Sequence, residues 1–203
     1  MTRYLLFLSL LIWPLGHLLT YSNSALGFTI YYLDICVFLI CVSLIFEAKK
    51  NSIALPTSTL KSLGVFTLFL VISWLVNISN TVRNGNLNSI FYIIRIITYP
   101  GVYIAALTVD QKELRKIVAF SFSVFVLLGL LQYFFMPDLR LFKNLGFDDH
   151  YFRLAGTLLD PNFTGVIIAS VAIYFIFLGR LKIATLLIIP LALTFSRASY
   201  LSF

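Results

Sequence analysis

Residues able to do chemistry are few in this chain, and most lie in two short segments. The first runs from Tyr151 to Asn162 and contains Arg153, Gly156, Asp160, Pro161 and Asn162; the second is Thr194-Phe195-Ser196-Arg197. A guanidinium cannot shed its charge to relieve burial, and its planar fork matches phosphate or carboxylate bidentately. Arg197 is therefore a candidate for holding an anion. Asp160 and Asn162 bracket a proline, which suits the first turn of a helix, and an acidic group there complements the helix dipole. The same two side chains could also touch a substrate, and both readings stand. Asp34 and Arg95 lie inside apolar runs, where ionisable groups mark either a cavity or an internal ion pair. His17 reads as an interfacial residue. Asp148-Asp149-His150 sets metal-ligand types side by side, but neighbours on one loop rarely converge on an ion, so no metal site is expected. Cys36 and Cys41, five residues apart, fit neither a metal spacing nor a disulfide.

The elements that must carry these residues are apolar. Hydrophobic residues make up 60% of the 203 positions and charged residues 11%, with a mean hydropathy of +0.97. That composition lies well outside the roughly 45–50% apolar content of soluble domains. Seven runs approach the length of about 17–25 residues that crosses a bilayer core: Tyr4 to Leu19, Leu26 to Phe46, Leu63 to Ile78, Ile90 to Leu107, Ile117 to Met136, Phe163 to Leu178, and Ile183 onward. Without strand-like alternation, and with every backbone group needing a partner in lipid, these read as helices. The expected fold is thus an all-α polytopic membrane protein, with Pro14, Pro100 and Pro190 as kinks. Gly165 and Ala169 give span six a small-residue spacing for close helix contact. Phosphate loops, zinc-protease motifs and nucleophile elbows are absent from the sequence, which excludes ATP-driven transport by this chain alone.

Basic residues set the orientation. With the N-terminus inside, Arg3, Lys49, Lys50, Lys61, Lys112, Arg115, Lys116, Arg180 and Lys182 are cytoplasmic, against Arg83, Arg140, Lys143, Arg153 and Arg197 outside, nine to five. The formal charge of +7 is accordingly an orientation signal; its dispersal over separate loops argues against nucleic-acid binding. Unbroken helices rising about 1.5 Å per residue would place Arg95 and Asp34 roughly 8 and 12 Å below the outer boundary. Arg197 would lie about 22 Å above the inner one, so the polar groups gather in the outer half.

Three segments, taken in order, carry a resemblance. Gly129-Leu130-Leu131-Gln132-Tyr133-Phe134 closes span five, Arg153 and Gly156 precede Asp160-Pro161-Asn162 at the opening of span six, and Thr194-Phe195-Ser196-Arg197 closes span seven. With Asp34 near the start of span two, they resemble the O-antigen ligase and O-antigen polymerase superfamily. The resemblance implies a multi-pass cell-membrane glycosyltransferase of surface polysaccharide assembly, independent of metal or other cofactor. It would move a glycan from a polyprenyl-diphosphate carrier to a lipid or glycan acceptor at the outer face. By that likeness Arg197 would hold the diphosphate and Arg153 would contact phosphate or sugar, with Arg95, Asp160 and Asn162 as further substrate contacts and the catalytic group unassigned. Members usually have more spans, and a functional histidine beyond the Ser-Arg segment. Residues 1–203 are therefore expected to form one transmembrane domain, the N-terminal part of a larger one, with an outer loop at 137–161. The alternatives are a non-catalytic relic or subunit of the same superfamily, and a polar-lipid transporter or flippase.

Overall fold

Prolines, glycines and a few hydroxyl residues decide where the apolar runs of this chain break. The structure is a computed structural model, which describes residues 1–23, 28–51, 57–77, 88–145 and 149–202. It is mostly helical, and the residues pack as two compact units, one of Met1–Trp13 and Leu19–Val118, the other of Pro14–Leu18 and Ala119–Phe203.

In the first unit, helix α1 (Thr2–Ile12) is followed by a hairpin of β1 (Thr20–Asn23) and β2 (Phe28–Tyr31), paired antiparallel with Thr20 opposite Tyr31. Among the described residues, helices α2 (Tyr32–Asn51), α3 (Thr57–Val76), α4 (Asn88–Thr98) and α5 (Pro100–Leu107) follow. Leu6 of α1, Ile40 and Leu44 of α2, and Ala105 of α5 form the core together with Val109. Pro100 has no N–H to continue the α4 ladder, and this separates α4 from α5. Gly101 then lets the Cys41 side chain come close: a Cβ there would lie 2.5 Å from Sγ. The Cys41 thiol donates to the Thr98 carbonyl at 3.1 Å, one of those left over at the break.

The second unit begins within α6 (Gln111–Phe135) and continues through a 3-10 helix at Leu139–Leu145, a 3-10 turn at Gly156–Leu158, α7 (Pro161–Phe177), α8 (Leu181–Leu193) and α9 (Arg197–Ser202). Helices α7 and α8 pack against each other, and Ile168, Ala169 and Ala172 of the first and Ala184, Leu187 and Leu191 of the second are buried. Small residues bring α9 in as well. The Cβ missing from Gly165 would collide with the Ser199 hydroxyl and approach Thr194 Oγ1 to 3.1 Å.

Among the described residues, two helical stretches are long and apolar enough to cross a membrane, Ile90–Leu107 and Gln111–Phe135; the apolar helices at Thr2–Leu18, Lys61–Val76, Pro161–Phe177 and Leu181–Leu193 are shorter. Their outward sides remain apolar, as at Phe69, which is 67% exposed, and Phe177, at 85%. A helix apolar on all sides is at home against lipid.

Three expected spans differ from the structure. Span one is α-helical only to Ile12 and tightens into a 3-10 segment, Trp13–Leu18, where Gly16 takes a φ of +48°. The beginning of span two is a hairpin strand, so Asp34 stands in the first turn of α2, not two turns inside a helix. Span seven breaks at Thr194–Ser196 and restarts at Arg197, which removes the unbroken helix behind the depth estimate for that residue.

Candidate functional site

The break at the end of α8 is braced from several sides. A helix C-terminus leaves backbone carbonyls without intrahelical donors. Here three in succession are satisfied by one short stretch of loop: Leu154 N donates to Leu193 O at 2.8 Å, Arg153 Nε to Thr194 O at 2.9 Å, and Arg153 Nη2 to Phe195 O at 2.9 Å. Thr194 turns its hydroxyl back to Leu191 O at 2.7 Å, and Phe195 adopts the left-handed region with φ +50°. Side chains other than glycine pay for that conformation, so it persists where the surroundings impose it. On the other side of the turn, the Ser199 hydroxyl donates to Ser196 Oγ at 2.8 Å and Tyr200 OH donates to Ala192 O at 2.6 Å.

The loop that supplies Arg153 is itself fixed by Gln132, near the end of α6. Its Oε1 accepts from both Ala155 N and Gly156 N at 2.9 Å, and its Nε2 donates to Met136 O at 3.1 Å and Arg153 O at 3.4 Å. Both lone-pair sites and both donors of the amide are thus used. Thr164 of α7 adds a bond to Ala155 O at 2.6 Å, and Thr157 donates to Pro14 O at 2.6 Å. Farther out, Phe152 N donates to Pro137 O and Leu139 N to His150 O, closing a bridge between Asp138 and Tyr151. Arg140 pairs with Asp138 at 2.8 Å and lies over the Tyr151 ring. Its hydrogen bonds hold the Asp138 carboxyl below the usual carboxylate range.

Within this frame the anticipated residues take different places. Arg197, the first residue of α9, is exposed, and no acidic side chain pairs with it among the described residues. Arg153 is half-buried, engaged with two carbonyls, and sets Nη1 3.4 Å from His150 Nδ1. Asp160 is the N-cap of α7, accepting from Asn162 N at 2.6 Å, with Pro161 in the first turn; the Asn162 side chain is exposed. Of Asp148-Asp149-His150, the first lies outside the described residues, and Asp149 takes the Lys143 ammonium at 2.6 Å.

Arg95 belongs to the first unit, where it meets Asp34. Nε reaches Oδ1 at 2.9 Å and Nη2 reaches Oδ2 at 2.6 Å. Tyr99 OH donates to Asp34 Oδ1 at 2.9 Å, Tyr31 N donates to Oδ2 at 3.2 Å, and the guanidinium lies 4.6 Å from the Tyr31 ring centre. This pair ties α4 to the hairpin and the first turn of α2. A small open recess beside it is lined by Thr29, Tyr31, Tyr92 and Arg95. His17 is half-buried in the 3-10 segment after α1.

Gln132, Thr157 and Thr164 are the contributors that sequence reasoning did not assign. A lone amide or hydroxyl in an apolar run is the available signal, since such groups need a partner away from water. Comparison with protein-family models, curated proteins and solved structures finds no match to this chain.

Proposed function

We propose that this protein is a multi-pass membrane glycosyltransferase of surface polysaccharide assembly, acting on a polyprenyl-diphosphate-linked glycan at the outer face, with Arg197 as the diphosphate contact. One observation carries this reading. Carbonyls at a helix C-terminus carry partial negative charge and attract the nearest cation. Here Arg153 already occupies those of Thr194 and Phe195, so the Arg197 guanidinium, exposed and without an acidic partner among the described residues, is left for an exogenous anion. When an acceptor hydroxyl gives up its proton to a general base and attacks the anomeric carbon, the bond to the diphosphate oxygen breaks and negative charge gathers on the leaving group. Arg197 neutralises that charge, an electrostatic contribution that needs no proton transfer from the residue itself.

Lysine at position 197 keeps the charge but loses the bidentate fork. In a complete, active form of the protein, with native membranes, a lipid-linked oligosaccharide donor and equal expression, Arg197→Lys is expected to lower glycan transfer about tenfold, a loss of the order of one charge-assisted hydrogen bond. Arg95→Lys should reduce it less, because Arg95 serves the Asp34 pair. Wild-type transfer by Arg197→Lys would remove the proposed role.

The same reading carries an orientation: N-terminus inside, seven crossings, and residues 137–161 outside. With the native cysteines replaced, an impermeant thiol reagent applied to intact cells should label Leu141→Cys and leave Lys112→Cys unlabelled. The reverse pattern would overturn the orientation.

A further inference from the structure

We infer that Arg153 is a positioning residue that fixes Arg197 through the turn at Phe195, rather than a direct contact to the diphosphate; this rests on the reading of Arg197 above. The geometry is that of a backbone clamp. Nε and Nη2 lie on one edge of the guanidinium, and each donates at 2.9 Å to one of two successive carbonyls, Thr194 O and Phe195 O. The adjacent Leu154 N takes Leu193 O, so two neighbouring loop residues hold three carbonyls in a row. To bind phosphate with the same edge, Arg153 would have to release both of its carbonyls.

The held conformation is one that the local sequence does not favour. Phe195 has φ +50°, which disfavours a side chain other than glycine by roughly five- to thirtyfold. Capture of its carbonyl by a charged donor offsets that preference. Ser196 then leads directly into α9, whose first residue is Arg197. The direction in which the Arg197 guanidinium leaves the backbone is therefore set at Phe195. The loop holding Arg153 is in turn held by Gln132 on Ala155 N and Gly156 N, so the clamp has a fixed base.

Glycine adopts positive φ without penalty, and this supplies a test that separates positioning from contact. If Arg153 acts through the turn, Phe195→Gly should rescue its loss; if it touches the substrate, it should not. A complete, active form of the protein would be placed in lipid nanodiscs, with Cys36 and Cys41 replaced by alanine and a nitroxide attached at Leu201→Cys, a position 90% exposed on α9. Arg153→Gln is expected to speed the motion of the label and to lower transfer from a polyprenyl-diphosphate oligosaccharide about tenfold, as for the loss of a charged hydrogen bond. Adding Phe195→Gly should slow the label again and recover most of the transfer, while Phe195→Gly alone changes little. Arg153→Lys, which retains one donor site, should fall between. An unchanged label in Arg153→Gln, or loss of transfer that Phe195→Gly does not relieve, would overturn the inference. Rescue of the label alongside wild-type transfer by Arg197→Lys would leave the clamp standing and remove the diphosphate role of Arg197.

Discussion

Replacing Gln132 with leucine is expected to destabilise the second unit by about 2–6 kcal/mol, because two amide donors would be stranded at about 1–3 kcal/mol each. The donors are Ala155 N and Gly156 N, both on buried residues, and Gln132 Oε1 receives both. Leucine fills a similar volume but accepts nothing. The other two groups that Gln132 satisfies, Met136 O and Arg153 O, add to the cost to the extent that water cannot reach them. Gln132→Glu should be milder, since a carboxylate still accepts from both amides and fails only towards the two carbonyls. Thermal unfolding in a fixed detergent would measure this. A midpoint for Gln132→Leu equal to wild type would show that the loop does not depend on this amide.

Gly16→Ala should cost about 2–4 kcal/mol, combining about 1–2 kcal/mol for a side chain at positive φ with the loss of a buried hydrogen bond. At φ +48° and ψ −124° the backbone of Gly16 suits glycine alone, and a Cβ there would sit 2.5 Å from the Thr157 carbonyl oxygen. Because that obstacle is backbone, relief requires moving the turn at Gly156–Leu158, which pulls the Thr157 hydroxyl away from Pro14 O. Gly64→Ala is the internal control. It lies within α3 with nothing inside 4 Å of the added methyl, so alanine there should be neutral or stabilise by about 0.5–1 kcal/mol. Equal effects of the two substitutions on the unfolding midpoint would contradict the assignment.

The helices were legible in the sequence because they are apolar on their outward as well as their buried sides, which leaves long apolar runs. The run from Ile117 to Met136 corresponds to α6, and that from Phe163 to Leu178 to α7. The proximity of Asp34 and Arg95 was also legible, since two opposite charges at similar depth lower their cost by meeting. Pro100, as expected, marks a real interruption. Three features were not legible. Thr20–Asn23 and Phe28–Tyr31 pair as antiparallel strands although Phe28-Thr29-Ile30-Tyr31 is apolar enough to merge with the helix that follows. Thr194–Ser196 breaks a helix with no glycine or proline, because Arg153 and Leu154, some forty residues earlier, impose the turn. Gln132 looked like one more residue of a motif until its four partners were in place. In the last two cases the determinant lies in contacts between distant parts of the chain, which local pattern does not carry.

The carbonyl clamp also sets an order of events during synthesis. Arg153 and its two acceptors are separated by 41 and 42 positions, and Leu154 likewise waits for Leu193. At about 5–20 residues per second, the ribosome needs roughly 2–8 s to supply the missing half. Throughout that interval the segment around Arg153 has its Gln132 anchor but not its clamp partners. The turn at Phe195 and the loop at Arg153 must therefore set together, late, as the helix hairpin of α7 and α8 closes.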